Sequence, residues 1–290
     1  MNTVVVGAGA WGTAFAHLLR EHGNEVVVAG RETIDDAPYD DAELVVLAVP
    51  SDAFREALAH VRGDAPVLSL TKGLDPETGE RLSTLVRGRS VAVLSGPNMA
   101  EEVLAGLPGA AVIASEDEAL ALQLQEAVTS LLFRVYTNTD LIGVELCAAA
   151  KNVIALAAGA VDGLELGDNA KAAIVTRGLA EMTRLGEACG AEPETFSGLA
   201  GMGDLIVTCW HPSGRNRRAG ELIARGASAD EARAAIGQVV EGLTTAPVLR
   251  DLSRRIGVEL PITEGVCAVL EGMPLGELAG ALMGRRPTDE

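Results

Sequence analysis

The sequence predicts an α/β domain with a parallel sheet over residues 1–139, followed by an all-α domain over residues 140–290. In the first half, short apolar runs alternate with helical stretches, and these runs end near Thr139. The runs do not alternate with polar residues, which indicates strands covered on both faces, as in a parallel sheet. We predict strands at residues 3–6, 25–29, 44–49, 66–70, 91–94, 110–114 and 133–136.

Helical periodicity dominates the second half. Asn138, Thr139 or Asp140 can cap a long helix that runs to about residue 160. Glu145 and Lys151 are nearly its only charges, and a helix that is apolar on all sides is buried. Further helices are predicted at residues 170–189, 218–225, 229–236, 244–256 and 263–270.

The charge balance excludes a nucleic-acid partner. The 290 residues carry a net charge of −18, whereas phosphate backbones are bound by clustered lysine and arginine. No window of about 18 consecutive uncharged apolar residues, as a membrane span requires, occurs. The chain enters an apolar strand directly after Met1, without a basic leader. We therefore expect a cytoplasmic protein without membrane insertion.

Cysteine usage predicts neither a disulfide framework nor a metal site. Cys147, Cys189, Cys209 and Cys267 lie far apart and form no CxxC pair, which fits a reducing cytoplasm. Cys209 and His211 could offer two metal ligands, but no second pair of this type completes a tetrahedral site. A buried thiol beside a loop histidine is the expectation.

Lysine is nearly absent from this acidic chain. Only Lys72, Lys151 and Lys171 occur among 23 basic residues, against 41 acidic ones. An acidic surface without lysine suits solubility at high salt, which leads to the hypothesis of a halophilic source. Each remaining lysine is expected where arginine cannot replace a compact, titratable ammonium.

A glycine turn follows the first strand and precedes a helix predicted at residues 13–22. Gly7 permits the tight turn, Gly9 lets a pyrophosphate approach the backbone, and Gly12 lets the helix pack closely on the strand. The GxGxxG pattern is weak alone, but its position between a strand and a helix predicts a Rossmann-type dinucleotide site.

The end of the second strand bears on cofactor choice. Arg31 occupies the region where an acidic residue would hold the ribose of NAD, and an arginine there can pair with the extra phosphate of NADP. An ordinary solvated arginine paired with Glu32 is the alternative.

Two loops and one buried helix carry candidate active-site residues. Lys72, in the segment 71–73, and the segment 95–100 each follow a predicted strand, at the sheet edge where α/β folds bind ligands. Burial of Lys151 would depress its pKa toward the range of a general acid and base. The alternative for Lys151 is a structural ion pair with Glu145 or Asp204.

The segments 201–205 and 214–218 form a further candidate site. The second is predicted as a loop in which three arginines and a carboxamide suit a phosphate-bearing anion. In so acidic a protein, the same arginines could equally be ion-pair partners of surface carboxylates.

Several long motifs stand in a fixed order along nearly the whole chain. They are GAGAWGTAFA, TKGL, SGPNMAEE, GVELCAAAKNVIALAAG, DGLELGDNAKAAIVTRGLAEM, GLAGMGDLIVTC, GRNRRAG and VVEGLTTA. With them the sequence resembles the bacterial and archaeal NAD(P)-dependent glycerol-3-phosphate dehydrogenases. The resemblance implies interconversion of sn-glycerol 3-phosphate and dihydroxyacetone phosphate with NADP or NAD, in glycerophospholipid precursor metabolism. It implies a phosphorylated small-molecule partner and is compatible with a homodimer.

The resemblance also implies residue roles. Lys151 looks like the proton-transfer residue and Lys72 like a second active-site lysine, which contacts substrate and cofactor. Other residues at the reacting centre would be Asn152, Asp204 and Thr208. Further substrate contacts would be Gly96, Asn98, Gly214, Arg215 and Asn216. Further cofactor contacts would be Gly7, Gly9, Ala10, Trp11, Gly12, Arg31, Ala100, Arg215, Val239 and Glu241.

The sequence departs from the family pattern in two ways. Between Arg31 and Leu44 the chain is much shorter than is usual, which removes a helix and could also remove a strand near the adenosine end. Asn98 stands where Ser or Thr is common and Gly214 where Ser is common, so two hydroxyl contacts change, for which Asn98 itself and Ser213 could compensate.

Two other interpretations are open at this point. A related hydroxyacid dehydrogenase would share the glycine loop, the interdomain lysine and the helical second domain, but its substrate would be a carboxylate. A nucleotide-sensing protein would keep the Rossmann domain without chemistry, and the retention of Lys72 and Lys151 argues against it.

Overall fold

A computed structural model describes residues 1–275 and contains one seven-stranded sheet in this range. The strands are β1 (Asn2–Val6), β2 (Glu25–Ala29), β3 (Leu44–Leu47), β4 (Val67–Ser69), β5 (Val91–Ser95), β6 (Gly109–Ala114) and β7 (Phe133–Asn138). Their order in the sheet is β2-β1-β3-β4-β5-β6-β7. Every predicted strand is confirmed within a few residues. Residues 276–290, the end of the predicted all-α domain, lie outside the described residues.

The predicted parallel sheet is confirmed except at one pair of strands. β1 to β5 pair in parallel, but β6 runs antiparallel to β5, and β7 follows the direction of β6. The only helix between β5 and β6 is α3 (Ala100–Leu104). To pair in parallel with β5, β6 would have to start at the opposite edge of the sheet, which needs a connection that runs back along the strands. The five-residue α3 rises only about 7.5 Å, so the chain re-enters the sheet from the edge where β5 ended.

Helices cover both faces of the sheet and make up the described part of the second half. On the sheet these are α1 (Ala10–Glu21), α2 (Phe54–His60), α3 and α4 (Glu118–Val128). After β7 come α5 (Leu141–Gly163), α6 (Gly167–Ala188), α7 (Pro193–Ser197), α8 (Asp204–Trp210), α9 (Arg215–Ala224), α10 (Ala229–Ile236), α11 (Glu241–Ile256) and α12 (Pro261–Leu270). The fold prediction is confirmed, whereas a domain boundary between residues 139 and 140 stays a prediction.

The long helix α5 is the centre of the helical half. Its N-cap is Asp140, whose carboxylate accepts a hydrogen bond of 2.8 Å from the amide of Gly143. By length and composition α5 could span a membrane, but 89% of its most apolar stretch is buried inside the protein. α6, α8, α9 and α11 pack around it, so its apolar surface is buried against other helices of the protein.

Glycines let α5 and α9 approach closely. A side chain at Gly159 would collide with the backbone carbonyl of Arg217, and one at Gly220 with that of Leu156. This contact fixes the start of α9 relative to the part of α5 that carries Lys151.

The segment 199–218 differs from the prediction. The five residues Leu199–Gly203 form a π-helical turn that leads into α8, and neither was predicted. The predicted arginine loop is instead the first turn of α9, which begins at Arg215. Between β2 and β3 the described helical structure is one 3₁₀ turn, Tyr39–Asp41, in keeping with the short segment there.

Glu145 joins α5 to the segment between β4 and β5. Its buried carboxylate accepts hydrogen bonds from the amide of Ser83 at 2.9 Å, from the Ser83 hydroxyl at 2.5 Å and from Arg81 at 3.0 Å. The Glu145 carboxylate is therefore occupied by Ser83 and Arg81, and it is not the partner of Lys151.

Candidate active site

The glycine turn after β1 has the geometry of a dinucleotide cradle. Gly7 has φ +116°, and a Cβ there would collide with the carbonyl of Ala48. A Cβ at Gly12 would meet the carbonyl of Gly7, whereas one at Gly9 would meet nothing within 4 Å. The open space at Gly9 lies at the N-terminus of the twelve-residue helix α1, whose amides have no side-chain cap. These residues fit a pyrophosphate held by backbone N–H groups.

The other predicted cofactor residues surround this turn. Ala10 is the first residue of α1, and Trp11 packs on Phe133 with ring centroids 6.5 Å apart. Trp11 also has a buried Nε1 without a hydrogen-bond partner in residues 1–275. Ala100 begins α3, which packs on α1.

Arg31 lies exposed after the end of β2, next to the cradle. Within the described part of the chain it forms no ion pair with Glu32, so the alternative interpretation of a surface pair does not occur. The guanidinium is therefore available to a cofactor phosphate, and that role stays a prediction.

Two lysines share one carboxylate where the sheet meets the helical half. Lys151 Nζ lies 2.6 Å from Asp204 Oδ1, and Lys72 Nζ lies 2.8 Å from Asp204 Oδ2. The side chains of Lys151 and Asp204 are 5% and 4% exposed, whereas that of Lys72 is 18% exposed. α5 supplies Lys151, α8 supplies Asp204, and the loop after β4 supplies Lys72. The ion-pair alternative for Lys151 is thus realised with Asp204, and it occurs within a cluster rather than as an isolated pair.

Burial and neighbouring charges set the protonation of this cluster. Burial lowers the pKa of Lys151 to about 7, and the Lys72 ammonium lowers it as well, whereas Asp204 raises it. Burial alone would raise the pKa of Asp204, but the two ammonium groups hold it below its ordinary value. Asp204 therefore stays ionised while Lys151 can gain or lose a proton near neutral pH.

The donors of the two lysines are used differently. Lys72 donates to Asp204, to the carbonyl of Gly96 at 3.3 Å and to Asn98 Oδ1 at 3.2 Å, which uses its three N–H groups. Lys151 bonds Asp204 and donates to Thr208 Oγ1 at 2.9 Å, so one N–H has no acceptor among the described residues. Asn98 likewise has a buried Nδ2 without a partner in that range.

An asparagine pair connects the lysine cluster with α9. Asn152 donates to the carbonyl of Lys72 at 2.9 Å, and its Oδ1 accepts a bond of 2.9 Å from Asn216. Asn216 Oδ1 accepts from the amide of Gly242 at 2.8 Å. Asn216 keeps one N–H for a ligand, whereas Asn152 also donates to Ala148, so both of its N–H groups are used.

The remaining predicted residues lie between α9 and α11. Arg215, next to Gly214 at the start of α9, is exposed and donates to the carbonyl of Val239 at 2.9 Å. Glu241 accepts from the hydroxyl of Ser51 at 2.6 Å and from its amide at 3.1 Å. Ser51 follows β3, so this contact joins α11 to the carboxyl edge of the sheet.

The structure thus joins seven predicted residues in one hydrogen-bonded cluster, namely Lys72, Asn98, Lys151, Asn152, Asp204, Thr208 and Asn216. The predicted cofactor residues around the glycine turn form a separate group, and Ser51 is a contact that sequence reasoning missed. Ser95 donates to Asp204 Oδ2 at 3.3 Å, and Ser51 holds Glu241. Ser51 follows β3 at the carboxyl edge of the sheet, which is the signal that identified Lys72, whereas Ser95 is the last residue of β5 and belongs to the predicted segment 95–100. Lys171, singled out only by the scarcity of lysine, pairs with Asp162 at 2.7 Å.

No group of three or more potential metal ligands (His, Cys, Asp or Glu) occurs within residues 1–275. Cys209 is buried, and His211 instead pairs with Glu102 at 3.5 Å and with the hydroxyl of Ser213 at 2.9 Å.

A dinucleotide cradle in the sheet half and a buried, titratable lysine in the helical half together define the class of nicotinamide-dependent dehydrogenases with a helical second domain. Family models described as the N- and C-termini of NAD-dependent glycerol-3-phosphate dehydrogenase match residues 33–121 and 140–277. The chain is 44% identical over 326 aligned positions to the glycerol-3-phosphate dehydrogenase [NAD(P)+] of Moorella thermoacetica, covering 100% of this chain and 97% of that one. The relative of the same name from Symbiobacterium thermophilum is 45% identical, covering 94% and 91%.

Solved structures agree with these matches. The crystal structure of glycerol-3-phosphate dehydrogenase from Coxiella burnetii superposes with a TM-score of 0.92 at 35% identity, covering 98% of this chain and 99% of that one. The chain therefore belongs to the NAD-dependent glycerol-3-phosphate dehydrogenase family.

Proposed function

We propose that this enzyme interconverts sn-glycerol 3-phosphate and dihydroxyacetone phosphate with NAD or NADP, using Lys151 as the proton donor and acceptor. The observation that carries the proposal is the uncommitted N–H of Lys151, whose buried ammonium is held by Asp204 and Thr208. Membership of the family supports the reaction. The hydrogen bonds of the lysine cluster support the residue roles that are part of the proposal.

Lys151 supplies or removes the proton at the substrate C2 oxygen. When bound, the reduced nicotinamide provides the hydride that C2 accepts during ketone reduction. The electron pair of the C=O π bond moves to the oxygen, and the Lys151 ammonium donates its free N–H proton there. In the reverse direction the neutral amine takes the hydroxyl proton, and a pKa of about 7 allows both states.

Asp204, Thr208 and Lys72 hold Lys151 for this transfer. Asp204 and Thr208 occupy two of its N–H groups, so the third has a fixed direction. The three N–H groups of Lys72 are already bonded, so Lys72 contributes positive charge next to the C2 oxygen rather than a proton. We assign the unpaired Nδ2 of Asn98 to the substrate as well.

The start of α9 is the proposed site of the substrate phosphate. Arg215 is exposed, and Asn216 keeps one N–H, at the N-terminus of a ten-residue helix that has no side-chain cap. A guanidinium, a carboxamide and helix amides together suit a phosphate. Gly96 and Gly214 are assigned to the substrate in the same proposal.

For the cofactor, we assign the glycine turn to the pyrophosphate and Arg31 to the phosphate of NADP. Trp11, Ala100, Val239 and Glu241 would border the rest of the nucleotide. The proposed setting is the cytoplasm, supported by four free cysteines, and the product would enter glycerophospholipid precursor metabolism. A homodimer and the domain division at residues 139 and 140 are part of the same proposal.

One spectrophotometric experiment tests the proposal. The purified enzyme is mixed with NADH or NADPH and dihydroxyacetone phosphate at low and at high salt, and cofactor oxidation is followed. We expect kcat/KM to be much higher for the phosphate ester than for unphosphorylated dihydroxyacetone, and glycerol in the reverse direction with NAD or NADP should likewise be a poor substrate. Oxidation of 2-hydroxy acids without activity on the phosphate ester would favour a hydroxyacid dehydrogenase. Tight NADPH binding with no turnover would favour a nucleotide sensor.

A further inference from the structure

The Arg217 side chain holds the turn between α8 and α9, and the proposed binding and proton-transfer steps do not use it. Arg217 Nε donates to the carbonyl of His211 at 3.3 Å, and its NH2 group donates to the carbonyl of Pro212 at 3.2 Å. Its NH1 group contacts Asp162 at 2.6 Å and Glu221 at 3.2 Å. These contacts use most of its five N–H donors, so Arg217 acts through the backbone that it holds.

A second cation, Lys171, binds the same carboxylate as Arg217. Lys171 Nζ lies 2.7 Å from the same Asp162 oxygen that Arg217 contacts, and it lies 5.1 Å above the Trp210 ring. The side chain of Lys171 is 6% exposed and that of Arg217 is 14% exposed. Burial alone would raise the pKa of Asp162, yet the two cations lower it, so the carboxylate stays charged between them. Lys171 thereby anchors the last residue of α8, and Arg217 anchors the two residues that follow.

This turn separates the two halves of the proposed substrate site. Before it, α8 carries Asp204 and Thr208, which hold Lys151. After it, α9 begins with Arg215 and Asn216. The close contact of Gly159 with the backbone of Arg217 fixes α9 on α5, so the turn sets how far the phosphate contacts lie from the proton donor.

We infer that Lys171, Asp162 and Arg217 are positioning residues that hold the phosphate-binding start of α9 at the correct distance from Lys151. This inference rests on the proposed function and deepens it. It also accounts for the third lysine in a chain with few lysines, because a compact ammonium fits between the Asp162 carboxylate and the face of Trp210, where a planar guanidinium is wider.

The experiment compares two substrates in one variant. In Arg217→Met, we expect the KM for dihydroxyacetone phosphate to rise about tenfold, because displacing the start of α9 weakens binding of the substrate phosphate. Turnover of dihydroxyacetone, which lacks the phosphate, should keep kcat/KM within about twofold of the parent, as should the KM for NADPH. Lys171→Met should show the same selective change, and the double variant should add little, since both residues act through Asp162.

Arg225→Met is the matched control, because Arg225 also pairs with Glu221 on α9, at 2.8 Å, but is 56% exposed and does not reach the turn. It should leave both substrates unaffected. Should Arg217→Met not fold, Arg217→Lys serves the same test, since it keeps a charge near Asp162 but cannot bond both carbonyls. An unchanged KM, or an equal loss with both substrates, overturns the inference. Absence of any parental turnover with the phosphate ester would instead reject the proposed function itself.

Discussion

Lys151 and Asp204 form an ion pair of 2.6 Å that is almost completely buried. The two residues come from different helices, α5 and α8, and the carboxylate is shared with a lysine from the sheet loop. Removing one partner of such a pair leaves an uncompensated charge, so the cluster forms only when the sheet and both helices are in place. Assembly of the site is therefore coupled to the packing of the whole fold.

Lys151→Met should abolish turnover while the protein still binds the cofactor. The methionine keeps the length and apolar stem of lysine but removes the proton donor, so kcat should fall by about 10²- to 10⁴-fold or more. NADPH binding, followed by fluorescence titration, should change little because the cradle residues lie on β1 and α1. Turnover within about tenfold of the parent would refute the assignment of Lys151.

The two directions of the reaction should show opposite pH dependence. Reduction needs the Lys151 ammonium and oxidation needs the neutral amine, and the pKa of Lys151 is about 7. We therefore expect kcat/KM for ketone reduction to fall as pH rises through about 7, and kcat/KM for alcohol oxidation to rise over the same range. NADPH affinity measured across the range serves as the control. The same slope in both directions would contradict this role.

Asp204→Asn should move this pH dependence to lower pH. The Asp204 carboxylate raises the pKa of Lys151, so its removal leaves burial and the Lys72 charge to lower that pKa further. The midpoint for reduction should fall by about one unit or more, together with a loss of kcat. Ser95→Ala is the matched variant, because it removes a bond of 3.3 Å to Asp204 but no charge. A midpoint that stays in place in Asp204→Asn, or moves equally in both variants, would disagree with this explanation.

The strands could be predicted because their information is local. Fully apolar runs such as β3 are buried on both faces, and that pattern is visible in the sequence alone. The reversed direction of β6 could not be predicted, since an apolar run reads the same whichever way its strand pairs. The short α3 before it was the available hint.

The helix α8 was missed for a different reason. The segment before it contains Gly201 and Gly203, which disfavour a helix locally. Gly201 is needed there because a Cβ would collide with the backbone of Phe196, so tertiary packing determines the conformation. The sequence likewise predicts a loop at the start of α9, because the glycine N-cap of this helix offers no side-chain signal.

Within the site, residue types could be predicted but pairings could not. Burial of Lys151 followed from an apolar helix, whereas the choice between Glu145 and Asp204 as its partner required the positions of Ser83 and α8. Contacts such as that of Ser51 with Glu241 join residues far apart in the sequence. No local pattern records such pairings.

Arg31→Ala should raise the KM for NADPH and leave the KM for NADH within about twofold. Arg31 is exposed beside the cradle, and a guanidinium there can pair with the 2′-phosphate that only NADP carries. Arg134→Ala makes the same charge change on β7, at the opposite edge of the sheet, and separates this contact from a general effect of charge. An unchanged KM for NADPH excludes the phosphate role of Arg31.

Salt should stabilise this protein through its charge. The net charge is −18, and the segment between β2 and β3 exposes six carboxylates, at Glu32, Asp35, Asp36, Asp40, Asp41 and Glu43. At about 0.01 M salt their repulsion extends over roughly 30 Å, and at about 1 M over roughly 3 Å, so Tm and activity should rise with sodium chloride. Thermal unfolding in sodium chloride is compared with unfolding in sucrose, which stabilises folded proteins without screening charge. An enzyme fully active and equally stable in dilute buffer would remove the halophilic hypothesis, and equal stabilisation by sucrose would show that screening is not the cause.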